Sequence, residues 1–150
     1  MPIKIEKFSH VVMQVSNLDE SIAFYRDLLG LEIVLEAKPE DFPEGALKAH
    51  VVGCLVGGDV VLEFGEGLGG TGPVETKGSP ILALSVADIQ QTHAALLEAG
   101  VEPTMPPTEM VPGIFMIFIR DPDGRTIEFV QFPNGALSSA EHSAAGARPA

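Results

Sequence analysis

Over residues 7–15 the side chains alternate between two sets, Ser9, Val11, Met13 and Val15 on one and Phe8, His10, Val12 and Gln14 on the other. A period of two predicts a β-strand, with one apolar face and one mixed face of the kind that lines a ligand cavity. The period then changes to that of a helix. Leu18, Ile22, Tyr25 and Leu29 share one helical face, Asn17 is placed as N-cap with Glu20 three residues on, and Gly30 stops the run. Leu31–Glu36 read as a second strand, followed by a polar loop over residues 38–47 that contains Phe42. That aromatic suits either a lid over a site or a local packing contact. His50–Val56 and Asp59–Phe64 read as a hairpin across Gly57-Gly58, with Val61 and Glu63 on one face of its second strand.

Residues 65–79 are too rich in glycine for a packed element and lack the Lys-Ser/Thr ending of a phosphate loop, so they read as a linker. The pattern then restarts. Ile81–Val86 is a strand, and Asp88-Ile89-Gln90-Gln91 opens a helix that runs to Gly100. A shift of 71 residues carries Val15 onto Val86 and Leu18 onto Ile89. Next come Val101–Thr104 as a strand, a Pro-rich loop from Met105 to Gly113, and a closing hairpin of Ile114–Arg120 and Arg125–Phe132. Asp121-Pro122-Asp123-Gly124 supplies the hairpin's turn chemistry: Pro122 presets φ and Gly124 accepts the left-handed position. Each half therefore reads β-α-β-β-β. The implied organisation is a first module over residues 1–64, the linker over 65–79, a second module over 80–133, and a disordered tail over 134–150 that has no core-forming pattern.

The composition narrows the function classes. The chain has 150 residues, 45% hydrophobic and 20% charged, which suits a globular protein of one domain or two small fused modules. A net charge of −12 leaves no basic footprint for nucleic acid. No apolar run is long enough to cross a bilayer, and the first residues carry no signal-peptide pattern. The single cysteine, Cys54, excludes an intrachain disulfide and reads as a buried structural thiol, which fits a reducing cytoplasm.

The candidate chemistry rests on few residues. Glu128 shares its strand face with Thr126, Val130 and Phe132, so its carboxylate points into mostly apolar surroundings and needs a cation, a hydrogen-bond donor or a proton. His10 lies on the mixed face of the first strand. His93 falls where Ile22 sits on the first helix and reads as a packed histidine, while His142 in the tail reads as solvated.

Two βαβββ units, a histidine on the first strand, Phe24-Tyr25 in the first helix and a closing Asp-Pro-Asp-Gly-x-x-Ile-Glu together resemble the vicinal oxygen chelate superfamily over roughly residues 7–132. Glyoxalase I, methylmalonyl-CoA epimerase, extradiol dioxygenases, fosfomycin-resistance enzymes and bleomycin-binding proteins belong to it. The resemblance implies an α+β fold in which two fused βαβββ modules form a cup-shaped mixed sheet with helices outside. It also implies a homodimer, and a divalent metal bound inside the cup from up to four strand positions. Three of those positions match His10, Glu63 and Glu128, all expected to face one cavity. If the modules swap between chains, His10 and Glu63 of one chain meet Glu128 of the other. The fourth position, usually a histidine opening the fifth strand, is Ile81. One imidazole and two carboxylates still suit Mn²⁺, Fe²⁺, Mg²⁺ or Zn²⁺. His50 is a conceivable second imidazole, although its position matches nothing in the family pattern.

Three functions follow as expectations. The first is a small-molecule enzyme, a glyoxalase-like lyase or isomerase, with a metal-stabilised enolate and Glu63 or Glu128 as proton carrier. The second, an extradiol-type ring-cleaving dioxygenase, ranks lower because Ile81 removes the second histidine of the required triad. The third is a metal-free drug- or metabolite-binding resistance protein, with an apolar pocket lined by Phe8, Val12, Phe42, Ile81 and Phe132.

Overall fold

The computed structural model describes residues 3–6, 8–46, 48–58, 60–68 and 73–133. The linker residues 69–72 and the tail over 134–150 lie outside the described residues. The chain divides into two compact units, Met1–Thr76 and Lys77–Ala150. Each carries one four-stranded mixed sheet, and together they give the α+β architecture of two βαβββ modules.

In the first unit the elements are β1 (His10–Gln14), α1 (Leu18–Ile22), β2 (Glu32–Ala37), β3 (His50–Val56) and β4 (Val60–Glu66). The sheet order is β1-β4-β3-β2. The last three strands form an antiparallel meander, and β1 joins it by pairing parallel with β4. The hairpin between β3 and β4 turns at Gly57 (φ 60°) and Gly58 (φ 102°), two successive left-handed positions of the type I′ kind that favour glycine. β4 runs on to Glu66, so the first two residues of the glycine-rich stretch are strand.

The first helix begins as its sequence predicts, with the Asn17 side chain accepting from the Glu20 N–H at 3.1 Å. It does not stay α-helical. Ala23–Leu28 are π-helical, and the Leu29 N–H reaches back five residues to the Phe24 carbonyl. The helix buries Leu18 and Tyr25 against Leu62, Phe64, Val52 and Cys54, each 2% exposed or less. The Tyr25 ring lies 5.0 Å from that of Phe64 and 4.9 Å, edge-on, from that of Phe24. Cys54 is buried, and burial pushes its thiol pKa up, so it is a packed thiol and not a nucleophile.

The second unit repeats the plan with β5 (Leu82–Ser85), α2 (Ile89–Glu98), β6 (Thr108–Val111), β7 (Ile114–Arg120) and β8 (Thr126–Gln131). Its order is β5-β8-β7-β6, with β5 parallel to β8. The Asp88 carboxylate caps α2 by accepting from the Gln90 and Gln91 N–H groups, each at 2.9 Å. Ile117, Ile119 and Ile127 are completely buried on the face whose neighbours include Phe129, and α2 contributes buried Ile89 and Leu96.

One strand differs from expectation. Val101–Thr104 is not a strand, and the edge strand is Thr108–Val111, inside the stretch read as a Pro-rich loop. Thr104 does donate its N–H to the Phe118 carbonyl at 2.8 Å, but Pro106 and Pro107 follow without a donor, so the ladder resumes only at Thr108 opposite Met116.

The turn between β7 and β8 is held by Asp121. Its Oδ1 accepts from the Asp123 N–H (3.0 Å) and the Arg125 N–H (2.8 Å), and its Oδ2 meets the Arg125 guanidinium at 3.2 Å. Arg125 also lies 3.6 Å from the Asp123 carboxylate. Arg125 is 7% exposed and Asp121 5%, so removing Asp121 leaves a buried cation short of a partner and two turn amides short of an acceptor. Asp121→Ala should therefore lower the unfolding free energy by about 3 kcal/mol or more. Denaturant unfolding checks this, and a loss under about 1 kcal/mol, the scale of an exposed pair, would contradict the role given to Asp121.

Candidate active-site faces of the two sheets

The strand registers set which side chains share a face. In the first sheet β1 and β4 run parallel with His10 opposite Val61 and Val12 opposite Glu63. His10 and Glu63 are thus diagonal neighbours, on the face turned away from the buried Leu62 and Phe64. An imidazole and a carboxylate in that relation are two rungs apart, a spacing their side chains can span toward a shared ion. His10 is exposed, and its Nδ1 lies 2.7 Å from the Ser9 hydroxyl. When Nδ1 carries the proton and donates to Ser9, the Nε2 lone pair is left for a cation.

Gly53 lies opposite Glu63 on β3. A Cβ on Gly53 would come within 2.6 Å of the Leu35 side chain, so only a glycine leaves room for Leu35 there. His50 is on the other face of this sheet, in step with Val52 and Cys54. Its Nε2 is 2.7 Å from the Glu36 carboxylate, and that hydrogen bond holds Glu36 below the usual glutamate range. The register removes His50 as a second imidazole beside Glu63, because a one-residue offset along a strand reverses the face.

The second sheet has the same geometry with different chemistry. Ala83 pairs with Glu128 as Val12 pairs with Glu63. The 71-residue shift that carries Val12 onto Ala83 carries His10 onto Ile81, so Ile81 occupies the place equivalent to His10. It is 54% exposed and offers no donor atom. Glu128 is half-buried, between Ala83 on one side and Phe118 on the other. Burial raises its pKa, with no compensating charge among the causes. This is the apolar setting expected of Glu128.

Arg120 is not among the candidate residues that the sequence singles out. It lies opposite Thr126, one rung pair from Phe118 and Glu128, and shares their face. Strand parity counted back from Glu128 along the hairpin would have found it.

Thus His10 and Glu63 share one sheet face, and Glu128 lies on the corresponding face of the other sheet. Among the described residues no group of three His, Cys, Asp or Glu side chains is gathered as a metal site. Of the residues considered for an apolar pocket, Phe8 and Val12 are exposed on the first unit, Phe42 and Phe132 are half-buried, and Ile81 is exposed on the second. No helix among the described residues is long and apolar enough to cross a membrane.

Comparison with known proteins agrees with this architecture. A family model described as the Glyoxalase/Bleomycin resistance protein/Dioxygenase superfamily matches residues 7–129. A probable lactoylglutathione lyase of Synechocystis sp. is 31% identical over 124 residues, covering 81% of this chain and 92% of its own. The lactoylglutathione lyase of Neisseria meningitidis serogroup A is 29% identical over 143 residues, covering 90% of this chain and 97% of its own. Among solved structures, the trypanothione-dependent glyoxalase I of Leishmania major superposes with a TM-score of 0.69 at 27% identity and covers 94% of each chain. With two βαβββ modules, a parallel first-to-last strand pairing in each and a family match along 7–129, the chain belongs to the Glyoxalase/Bleomycin resistance protein/Dioxygenase superfamily.

Proposed function

We propose that the protein is a small-molecule enzyme of the glyoxalase-like lyase or isomerase kind, with Glu128 moving a proton on a carbon beside a carbonyl or hydroxyl oxygen. The observation that carries this reading is the setting of Glu128. It is a carboxylate on an open strand face, desolvated by Phe118 and its neighbours, with its pKa raised by burial. A carboxylate so placed holds a proton more firmly than a solvated one and is better matched to taking a proton from carbon near neutral pH. Relatives named lactoylglutathione lyase support the same direction.

His10, Glu63 and Glu128 are proposed as donors to a divalent cation, with Mn²⁺, Fe²⁺, Zn²⁺ or Mg²⁺ the ions that suit one imidazole and two carboxylates. The half-set on the first sheet fits such an ion in donor type and strand spacing, while the second sheet contributes one oxygen donor because Ile81 contributes none. When bound, the cation would polarise neighbouring substrate oxygens and stabilise the enolate-like charge. With one neutral ligand fewer, a carboxylate is left freer for proton transfer. The same isoleucine removes the second imidazole that ring-cleaving oxygenation needs. We further propose that the enzyme works as a homodimer in the cytoplasm.

A second reading, sequestration of an apolar ligand, is favoured by the exposed Phe8, Val12 and Ile81. Turnover separates the two. With the hemithioacetal of methylglyoxal and glutathione as first substrate, His10→Ala should lower kcat/KM by about a hundredfold or more, while binding without turnover in the parent protein would support sequestration.

The pH dependence follows from the raised pKa of Glu128. A base must be deprotonated, so in the metal-free protein kcat/KM should fall as pH drops through that pKa, at a higher pH than a solvated glutamate gives, whereas a cation held by Glu128 favours the charged carboxylate and moves the limb to lower pH. Glu128→Gln should remove this acidic limb together with most of the activity. An unchanged limb in that variant would assign the titration to another group.

A further inference from the structure

Arg120 stands apart from the other arginines among the described residues. Arg26 is paired with the Asp27 carboxylate at 2.6 Å, and Arg125 is buried against Asp121 and Asp123 at 3.2 and 3.6 Å. Arg120 instead donates to two neutral acceptors, the Gly124 carbonyl at 3.2 Å and the Thr126 hydroxyl at 2.5 Å. The chain has 21 acidic residues, yet among the described residues none forms an ion pair with this guanidinium.

The two hydrogen bonds use one nitrogen. Both come from an Nη1 atom, so the edge formed by Nε and Nη2 has no protein partner among the described residues. That edge is the planar fork that takes a carboxylate in two parallel charge-assisted bonds. Meanwhile Nη1 ties the side chain to the turn, which reduces the rotamer freedom lost when an anion docks. An exposed arginine is usually a solvated side chain. This one is pinned in place, and pinned on the face that holds Glu128.

The strand register fixes that relation. Arg120 pairs with Thr126 and Phe118 pairs with Glu128, so Arg120 and Glu128 are diagonal neighbours across β7 and β8. Diagonal positions in an antiparallel pair lie roughly 7–8 Å apart. The guanidinium leans toward Gly124 and Thr126, the turn side of that pair, so a molecule that reaches both groups must span more than the strand spacing, with Phe118 presenting apolar surface beside it.

We infer that Arg120 is a specificity residue, taking a substrate carboxylate on its Nε–Nη2 edge while the reacting carbon lies toward Glu128. The substrate class is thus an organic acid whose carboxylate is several bonds removed from the carbon that loses its proton. This rests on the reading of Glu128 as the proton carrier. It adds a charge requirement that the donor set does not imply. In a protein of net charge −12, a local cation is also what lets an anionic substrate settle against the general repulsion.

The test uses matched probes that need neither metal nor turnover, 3-phenylpropionate and the neutral 3-phenylpropionamide, titrated into the full-length protein and followed by NMR. The acid should shift the Arg120 Nε–H resonance and bind about tenfold or more tighter than the amide. In Arg120→Met that preference should disappear, and in Arg120→Lys, which keeps the charge but not the fork, it should shrink. A purely structural role, through the bonds to Gly124 and Thr126, would lower the unfolding midpoint of Arg120→Met and leave the acid-to-amide ratio unchanged. That result, equal binding of the two probes by the parent, or no binding of the acid would overturn the inference. None of these readouts depends on the metal donors, so loss of this inference and loss of the proton-transfer reading can be told apart.

Discussion

Each module's first strand pairs parallel with its last, and the placement of the candidate side chains follows from that pairing. β2, β3 and β4 could form an antiparallel meander without help, as β6, β7 and β8 could. Adding β1 beside β4, and β5 beside β8, requires a helical crossover. That crossover covers one face of the sheet and buries Tyr25, Phe64, Ile117 and Ile127. The opposite face carries His10 and Glu63 on the first sheet and Glu128 on the second. Because side chains alternate strictly along a strand, the same register that buries Leu62 and Phe64 turns Glu63 outward, and the one that buries Ile127 and Phe129 turns Glu128 the other way.

Much of this was legible in the sequence because it depends on period and local chemistry. The alternation around His10, the Asn17 and Asp88 caps and the Gly57-Gly58 turn all depend on near neighbours, and each forms as read. What escaped depends on distant partners. The π-helical turns of Ala23–Leu28 leave no mark in an apolar pattern that suits either helix. β6 differs from the sequence expectation because Pro106 and Pro107 suggest a loop, whereas an edge strand needs donors on one side only and tolerates prolines nearby. The exclusion of His50 required the register between β3 and β4, since its sequence neighbourhood does not say which face it occupies.

The two sheets show how one scaffold can hold unequal halves. His10 with Glu63 and Ile81 with Glu128 occupy equivalent places, so the difference between them is purely one of side chains. On the first sheet an imidazole accompanies the carboxylate. On the second a branched alkyl group does, and the carboxylate is raised in pKa by burial alone. The two carboxylates, at equivalent strand places, therefore have different neighbours. Arg120 extends the asymmetry, since the position is occupied by a cation held through neutral acceptors while the turn beneath it is secured separately by Asp121 and Arg125.

The proposed function stands on His10, Glu63 and Glu128 serving as one donor set despite Ile81. The experiment to make is elemental analysis of the purified protein, with His10→Ala and Glu128→Ala alongside. The parent should hold close to one divalent transition metal per chain, and both variants should lose it. Parent protein that retains no metal after reconstitution with Mn²⁺, Fe²⁺ and Zn²⁺, or metal that persists in Glu128→Ala, would contradict it.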